Sequence, residues 1–138
     1  MKILKPPQVK IVPKAWGREI WMVNNHTENY CGKILEVRKG GKCSLHYHKL
    51  KHETFYILEG SICLEIHLIE EKNENSFKLL TAGDVIEVRR RQVHRFEALE
   101  DSKIIEISTF HQEEDSYRID DNIHKHEHCR INCGGTAL

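Results

Sequence analysis

Gly40-Gly41-Lys42-Cys43-Ser44-Leu45-His46-Tyr47-His48, followed by Glu53 and Gly60, is the stretch on which the reading of this chain turns. Side chains at i and i+2 of a strand point to one face, so Ser44, His46 and His48 share a side. Two imidazoles placed this way can chelate one ion, because their ring nitrogens converge about 2 Å from a common centre. Glu53 opens the next strand-like run, Glu53 to Leu58, after a short connection, and its carboxylate can approach the same point from a neighbouring strand. His94, in Val93-His94-Arg95-Phe96, follows the Gly83-Asp84 turn and the strand after it, and supplies a third imidazole. Three histidines and one carboxylate form a ligand set that leaves positions open for water or substrate.

Outward from this stretch the chain is a succession of short strand-like runs. Cys31 to Val37 carries apolar residues on both faces, as in a strand covered on both sides. Ser61 to Leu68 alternates, with Ile62, Leu64, Ile66 and Leu68 on one side. Phe77–Leu80, Val85–Val88, Val93–Ala98 and Lys103–Ser108 follow. Turn signals separate them: Gly40-Gly41, Glu59-Gly60, Asn73 to Asn75, Ala82-Gly83 and Glu100-Asp101-Ser102. No window shows a helical stripe, and many short strands punctuated in this way predict an all-β sandwich or barrel.

With 138 residues, 39% of them apolar, the chain fits one compact domain. We place that domain at 1–121, including an N-terminal arm, and a polar C-terminal tail at 122–138. Basic and acidic residues balance at 21 each, which removes the simplest argument for nucleic acid. No apolar stretch approaches a membrane span, and Met1 to Lys10 carries charges and two prolines where a signal peptide needs an apolar core. The expected location is the cytoplasm. Cys31, Cys43, Cys63, Cys129 and Cys133 are odd in number and scattered, which favours free thiols over a disulfide scaffold. The run Arg89-Arg90-Arg91 reads as a solvated corner. His124, His126, His128, Cys129 and Cys133 are zinc-ligand types without a finger's spacing.

The joint spacing of Gly40, His46, His48, Glu53 and Gly60 resembles the first motif of the cupin superfamily, and Gly83-Asp84 with His94 resembles part of the second. Arg89 and Arg91 stand where that family has Pro and Gly, and Ala98 where it has Asn. The resemblance implies a single-domain cupin β-barrel, a jelly roll. Lys14-Ala15-Trp16-Gly17, Gly32-Lys33-Ile34-Leu35, Ser44 to His48 and Arg118-Ile119-Asp120-Asp121 fall in the order seen in type II phosphomannose isomerase domains and their small stand-alone relatives. The match runs from about Lys14 to Asp121. The Tyr-Gly-Arg that those domains carry after the acidic pair is replaced by Ile123-His124-Lys125.

That resemblance implies a metal-dependent sugar-phosphate isomerase of the mannose-6-phosphate type, which interconverts an aldose and a ketose phosphate through a metal-stabilised enediolate. The implied metal ligands are His46 (often Gln in those relatives), His48, Glu53 and His94. The implied catalytic residues are Lys33, Lys51 (commonly Arg there) and Arg118, as proton shuttle and phosphate partners. The expected cofactor is a divalent metal ion, zinc first, with iron, manganese or nickel as alternatives. The expected partners are a phosphorylated sugar and a second copy of the chain, paired through an outer face carrying Leu45 and Tyr47. Two other classes remain open: a non-catalytic sugar-binding cupin, and a different cupin enzyme such as a metal-dependent oxygenase or an epimerase.

Overall fold

The structure, a computed structural model, describes residues 1–67 and 75–119. Leu68, Asn73, Asp120, Asp121 and the tail 122–138 with its histidines and cysteines lie outside the described residues. Eleven strands are present among those described: β1 Lys10–Lys14, β2 Gly17–Asn25, β3 Tyr30–Val37, β4 His46–Tyr47, β5 Glu53–Glu59, β6 Ser61–His67, β7 Asn75–Thr81, β8 Val85–Val88, β9 Val93–Ala98, β10 Ser102–Ser108 and β11 Tyr117–Arg118. They form two antiparallel sheets, one ordered β1-β2-β3-β10-β5-β8 and the other β11-β4-β9-β6-β7. This is the all-β architecture that the strand runs and turn signals predict, in the jelly-roll form that the resemblance implies. Among the described residues no helix is long and apolar enough to cross a membrane.

Strict alternation places the core between the sheets. In β10, Ser102, Ile104, Glu106 and Ser108 are buried while Lys103 and Ile107 are exposed. Leu35, Phe55, Ile57, Ile62, Leu64 and Ile104 pack with Trp16 and Phe96, whose rings meet edge to face at 5.4 Å. Each such side chain contributes about 1.5–3 kcal/mol by leaving water, and the edge-to-face ring pair adds to this. The apolar residues assigned to one side of β6, Ile62, Leu64 and Ile66, all enter this core.

The turns fix the registers. Gly60 joins β5 to β6 at φ 88°, and a Cβ there would stand 2.2 Å from Ser102 Oγ and 2.6 Å from Asp101 O, so glycine is required on both counts. Arg91 takes φ 67° in the turn before β9, the left-handed conformation for which the family's glycine is suited. Its N–H donates to His48 O at 2.6 Å, which ties that turn to the metal-ligand loop despite the substitution.

Two expectations need correction. Leu45 is not an outward residue: it is 1% exposed, and Tyr47 stacks on Tyr117 with ring centroids 5.1 Å apart. Strand parity fails there because β4 is only two residues long and Leu45 precedes it. Cys31 and Cys43 carry free thiols as expected, but Cys63 is disulfide-bonded. Scattered spacing along a chain does not report which sulfurs meet in space.

Candidate metal centre

The two sheets bring the predicted ligands together. His46 of β4 is the register partner of His94 of β9, and His48 follows on the same side. One ring nitrogen from each of His46, His48 and His94 lies within 4.8 Å of the others, close enough to share one ion. The orientation of each ring is set by a backbone carbonyl: His46 Nδ1 meets Ser44 O at 2.7 Å, His48 Nδ1 meets Asp115 O at 3.0 Å, and His94 Nδ1 meets Gln92 O at 2.9 Å. A carbonyl only accepts, so each Nδ1 carries the hydrogen and each Nε2 is left with its lone pair toward the site. Such carbonyl partners are the usual way a protein fixes the tautomer of a ligating histidine.

Glu53 lies beside this group of three. Its Oε1 lies 3.6 Å from His48 Nε2, and its Oε2 lies 3.4 Å from His94 Nε2. The approach to His94 lacks hydrogen-bond geometry, so Oε2 is a buried oxygen without a donor. A buried carboxylate oxygen left in this state is costly unless a cation meets it. The orphaned oxygen and the three Nε2 lone pairs fit a divalent ion held by His46, His48, His94 and Glu53.

The electrostatics agree. Burial pushes the His46 imidazole down to about 3, and the crowding of a second titratable ring, His94, acts in the same direction. His48 is lowered too, again chiefly by burial. Both are therefore neutral at pH 7, the form that binds metal. Burial alone would raise Glu53, but the Lys51 ammonium, with His94 and His48 behind it, holds its carboxyl well below the usual carboxylate range.

Lys51 is buried and saturated. Its Nζ donates to Glu53 Oε1 at 3.0 Å, to Glu106 Oε2 at 2.8 Å and to His111 Nδ1 at 3.1 Å. An ammonium has three N–H groups, so all are engaged. Burial acts to lower its pKa, but Glu106 and Glu53 outweigh that and drive it above the ordinary lysine range. Lys51 is thus a fixed cation that positions Glu53. Lys33, 1% exposed, is held more loosely: its Nζ is 3.6 Å from Glu19 Oε1 and 4.1 Å from the centre of the Trp21 ring. Arg118 is exposed on β11, paired in register with His46.

All three predicted catalytic residues open onto one cavity of about 400 Å³ with the histidines. Its lining carries five basic residues (Lys14, Lys33, Lys42, Lys51, Arg118) and four acidic ones (Glu19, Glu53, Glu106, Glu113). With a divalent ion added, the cavity has a clear positive excess and suits an anionic ligand.

Sequence reasoning missed Glu106, His111 and Asp115. Asp115 carries the most consequence: Oδ1 accepts from Lys49 N at 2.9 Å and Leu50 N at 3.0 Å, Oδ2 accepts from Lys51 N at 2.9 Å, and its own carbonyl holds His48. One residue grips the loop between the second and third ligands and orients one of them. Glu106 could have been found as an acidic residue on the inward side of β10, in step with Ile104 and Ser108. No local signal marks Asp115 or His111.

Comparison with solved structures gives the same fold. The capsular polysaccharide assembling protein CapF from Staphylococcus aureus superposes with a TM-score of 0.68 at 14% identity, over 81% of this chain and 32% of CapF. KdgF from Halomonas sp. superposes at 0.65 and 15% identity, over 83% of this chain and 97% of that one. Oxalate decarboxylase from Bacillus subtilis superposes at 0.68 and 18% identity, over 96% of this chain and 35% of the decarboxylase. The chain therefore spans about a third of the length of CapF and of the decarboxylase, and nearly all of KdgF. A search among curated proteins finds none that matches. The family model described as a cupin domain matches residues 33–110, more than half of the sequence, and this chain belongs to the cupin family.

Proposed function

We propose that this cupin is a metal-dependent isomerase that interconverts an aldose phosphate and a ketose phosphate, with mannose 6-phosphate as the first substrate to test. The observation that carries the reading is one cavity lined by the three histidines, Glu53 with its unpartnered oxygen, buried Lys33 and Arg118. Its volume, about 400 Å³, is that of a pocket for a small metabolite. Manganese centres are named for the oxalate decarboxylase that shares the fold, which makes manganese a candidate beside zinc, iron and nickel.

The reaction removes a proton from the carbon next to the carbonyl and returns one to the old carbonyl carbon, while the hydroxyl and carbonyl oxygens exchange roles. A bound divalent ion supplies Lewis-acid charge for those two oxygens. Lys51 has no N–H left for substrate, and its part is to keep Glu53 ionised and in place. Lys33 is the group we assign to proton transfer, since its Nζ makes only a 3.6 Å ion pair and a ring contact. Arg118, exposed at the cavity wall, is assigned to the phosphate, where a guanidinium offers two parallel donors.

The test is metal analysis of protein purified without added metal, then incubation of the loaded protein with phosphorylated aldoses in deuterated water. Solvent deuterium at the carbon beside the carbonyl is the expected result, with Lys33→Met abolishing exchange but not metal binding. Tight sugar binding without exchange supports a binding protein instead, and oxygen consumption an oxygenase. If no phosphorylated sugar binds at all, the reading is wrong.

A further inference from the structure

One buried acid of the cavity lies outside the metal-ligand set. Glu106, on the inward side of β10, is 4% exposed and lines the same cavity as the three histidines. Its Oε2 is fixed, 2.8 Å from Lys51 Nζ and accepting from Ser108 Oγ at 3.4 Å. Its Oε1 meets no donor among the described residues. Lys51 also holds Glu53, so one ammonium sets this carboxylate beside the ligand cluster. A buried carboxylate gripped at one oxygen and bare at the other is held in place with a lone pair to offer.

Lys33 is its neighbour. The register of β3 and β10 pairs Lys33 with Glu106, so the two side chains leave the same face of the sheet with Cβ atoms about 5 Å apart. A cation and an acid so placed close into an ion pair unless other partners compete. Here other partners win, and no ion pair joins the two among the described residues. Lys33 is drawn toward β2, where Glu19 Oε1 lies 3.6 Å from its Nζ and the centre of the Trp21 ring 4.1 Å. Trp21 Nε1 donates to that same Glu19 oxygen at 3.0 Å and fixes it. Glu106 is drawn the other way, toward Lys51 in the loop before β5. An acid and a base therefore face one cavity, each held by its own partners, and neither neutralises the other.

Resting on the isomerase reading above, we propose that Glu106 is a catalytic residue, the base that takes and returns the carbon-bound proton while Lys33 serves the oxygens. Glu106 Oε1 takes the proton from the carbon beside the carbonyl. The C–H electron pair becomes the C=C bond of an enediol, and the carbonyl oxygen takes a proton from the Lys33 ammonium. In the second half the Glu106 carboxyl returns its proton to the former carbonyl carbon. The neighbouring hydroxyl gives its proton to the Lys33 amine and becomes the new carbonyl. Both side chains end as they began, and nothing else is consumed. While the proton sits on the carboxyl it exchanges with water, which is how solvent deuterium reaches carbon.

The experiment compares wild type, Glu106→Gln and Glu106→Asp, each loaded with metal, on aldose 6-phosphates in deuterated water, mannose 6-phosphate first. Glutamine keeps an acceptor for Lys51 but cannot take a proton. In Glu106→Gln, kcat and deuterium incorporation should fall by about 100-fold or more, with KM within about threefold. Its metal affinity, measured by calorimetry, should match wild type. Glu106→Asp keeps a carboxylate and should exceed Glu106→Gln by about tenfold or more. A wild type that binds these sugars without exchange overturns the isomerase reading and this assignment with it. A wild type that exchanges, while Glu106→Gln keeps its kcat within about tenfold, overturns the assignment of Glu106 alone. So does a Glu106→Gln that loses metal in step with activity, since Glu106 would then act only through Lys51 and Glu53.

Discussion

His94 and Arg95 are adjacent in β9 and point to opposite sides of the sheet, and each lies against a buried glutamate. On the outer side Glu65 is closed: Oε2 accepts from Arg95 Nε at 2.9 Å and Nη2 at 2.7 Å, and Oε1 contacts His67 Nε2 at 2.9 Å. On the inner side Glu53 is open: Oε1 accepts from Lys51, and Oε2 has no donor. Burial is the same in both places, with Glu65 at 2% and Glu53 at 3% exposure. The difference is saturation. A buried acid whose every lone pair is matched holds a fold together, whereas one left partly unmatched waits for a ligand.

The largest effect that separates the two sites comes from opening the closed one. Arg95→Met removes the guanidinium whose Nε and Nη2 both donate to buried Glu65 Oε2, a loss of about 3–5 kcal/mol. For a domain of this size, that lowers the melting temperature by about 10 °C or more. Adding Glu65→Leu to Arg95→Met should recover most of the loss, since an apolar pair tolerates burial. Metal affinity measured by calorimetry should be unchanged in any variant that folds. If Arg95→Met melts within two degrees or so of wild type, the ion pair is not structural and the contrast between the sites fails.

A smaller effect is expected from Asp115→Asn, which sharpens the comparison because Asp115 is itself saturated yet serves the open site. The amide keeps one acceptor oxygen but turns an NH2 toward the Lys49–Lys51 N–H groups, so the loop shifts and His48 loses its carbonyl alignment. Outer partners of ligands typically control metal affinity by 10–100-fold, and that is the weakening expected here. Titration with cobalt provides the readout: its absorption bands report ligand geometry directly, which a general loss of stability would not change. Unaltered bands and affinity would reduce Asp115 to a loop staple.

How much of this was visible in the sequence depends on range. β8 and β9 were read at their observed bounds, and β7 and β10 within a residue or two, because turn residues bracket them. The ligands were legible because His46 and His48 are related by strand parity and Glu53 and His94 by motif spacing. β1 and β2 were not recognised: Ile20 and Trp21 are adjacent large residues serving opposite faces, so the alternation is hidden. For a similar reason Cys31 to Val37 read as a strand covered on both sides, whereas Ile34 is only half-buried between buried Lys33 and Leu35. Asp115 and His111 reach the site from 60 or more residues away, and no local pattern encodes such a contact. Lys51 was readable as a cation at the site, but its commitment to Glu53, Glu106 and His111 required the fold.

The mildest perturbation is pH, applied to the metal-free protein. His46 has its folded pKa lowered to about 3 and His48 is lowered as well, against an unfolded value near 6.5. Above 6.5 both states are neutral and the full stability is present. As pH falls below 6.5 the unfolded chain takes up protons that the folded chain refuses, so stability declines. The limiting slope is about 1.4 kcal/mol per pH unit for each such group. Glu53 works in a different window, because its lowered pKa gives stability that is lost only as pH falls below the usual carboxylate range. Lys51, raised above the lysine range, acts only at high pH. Urea midpoints between pH 7.5 and 5.5 therefore isolate the histidines. The midpoint should fall across that interval in wild type and fall less in His46→Gln, whereas the Glu65–Arg95 pair, matched in full, gives no reason for His46→Gln to change anything. Equal slopes in the two proteins would mean that the inner site is as closed as the outer one.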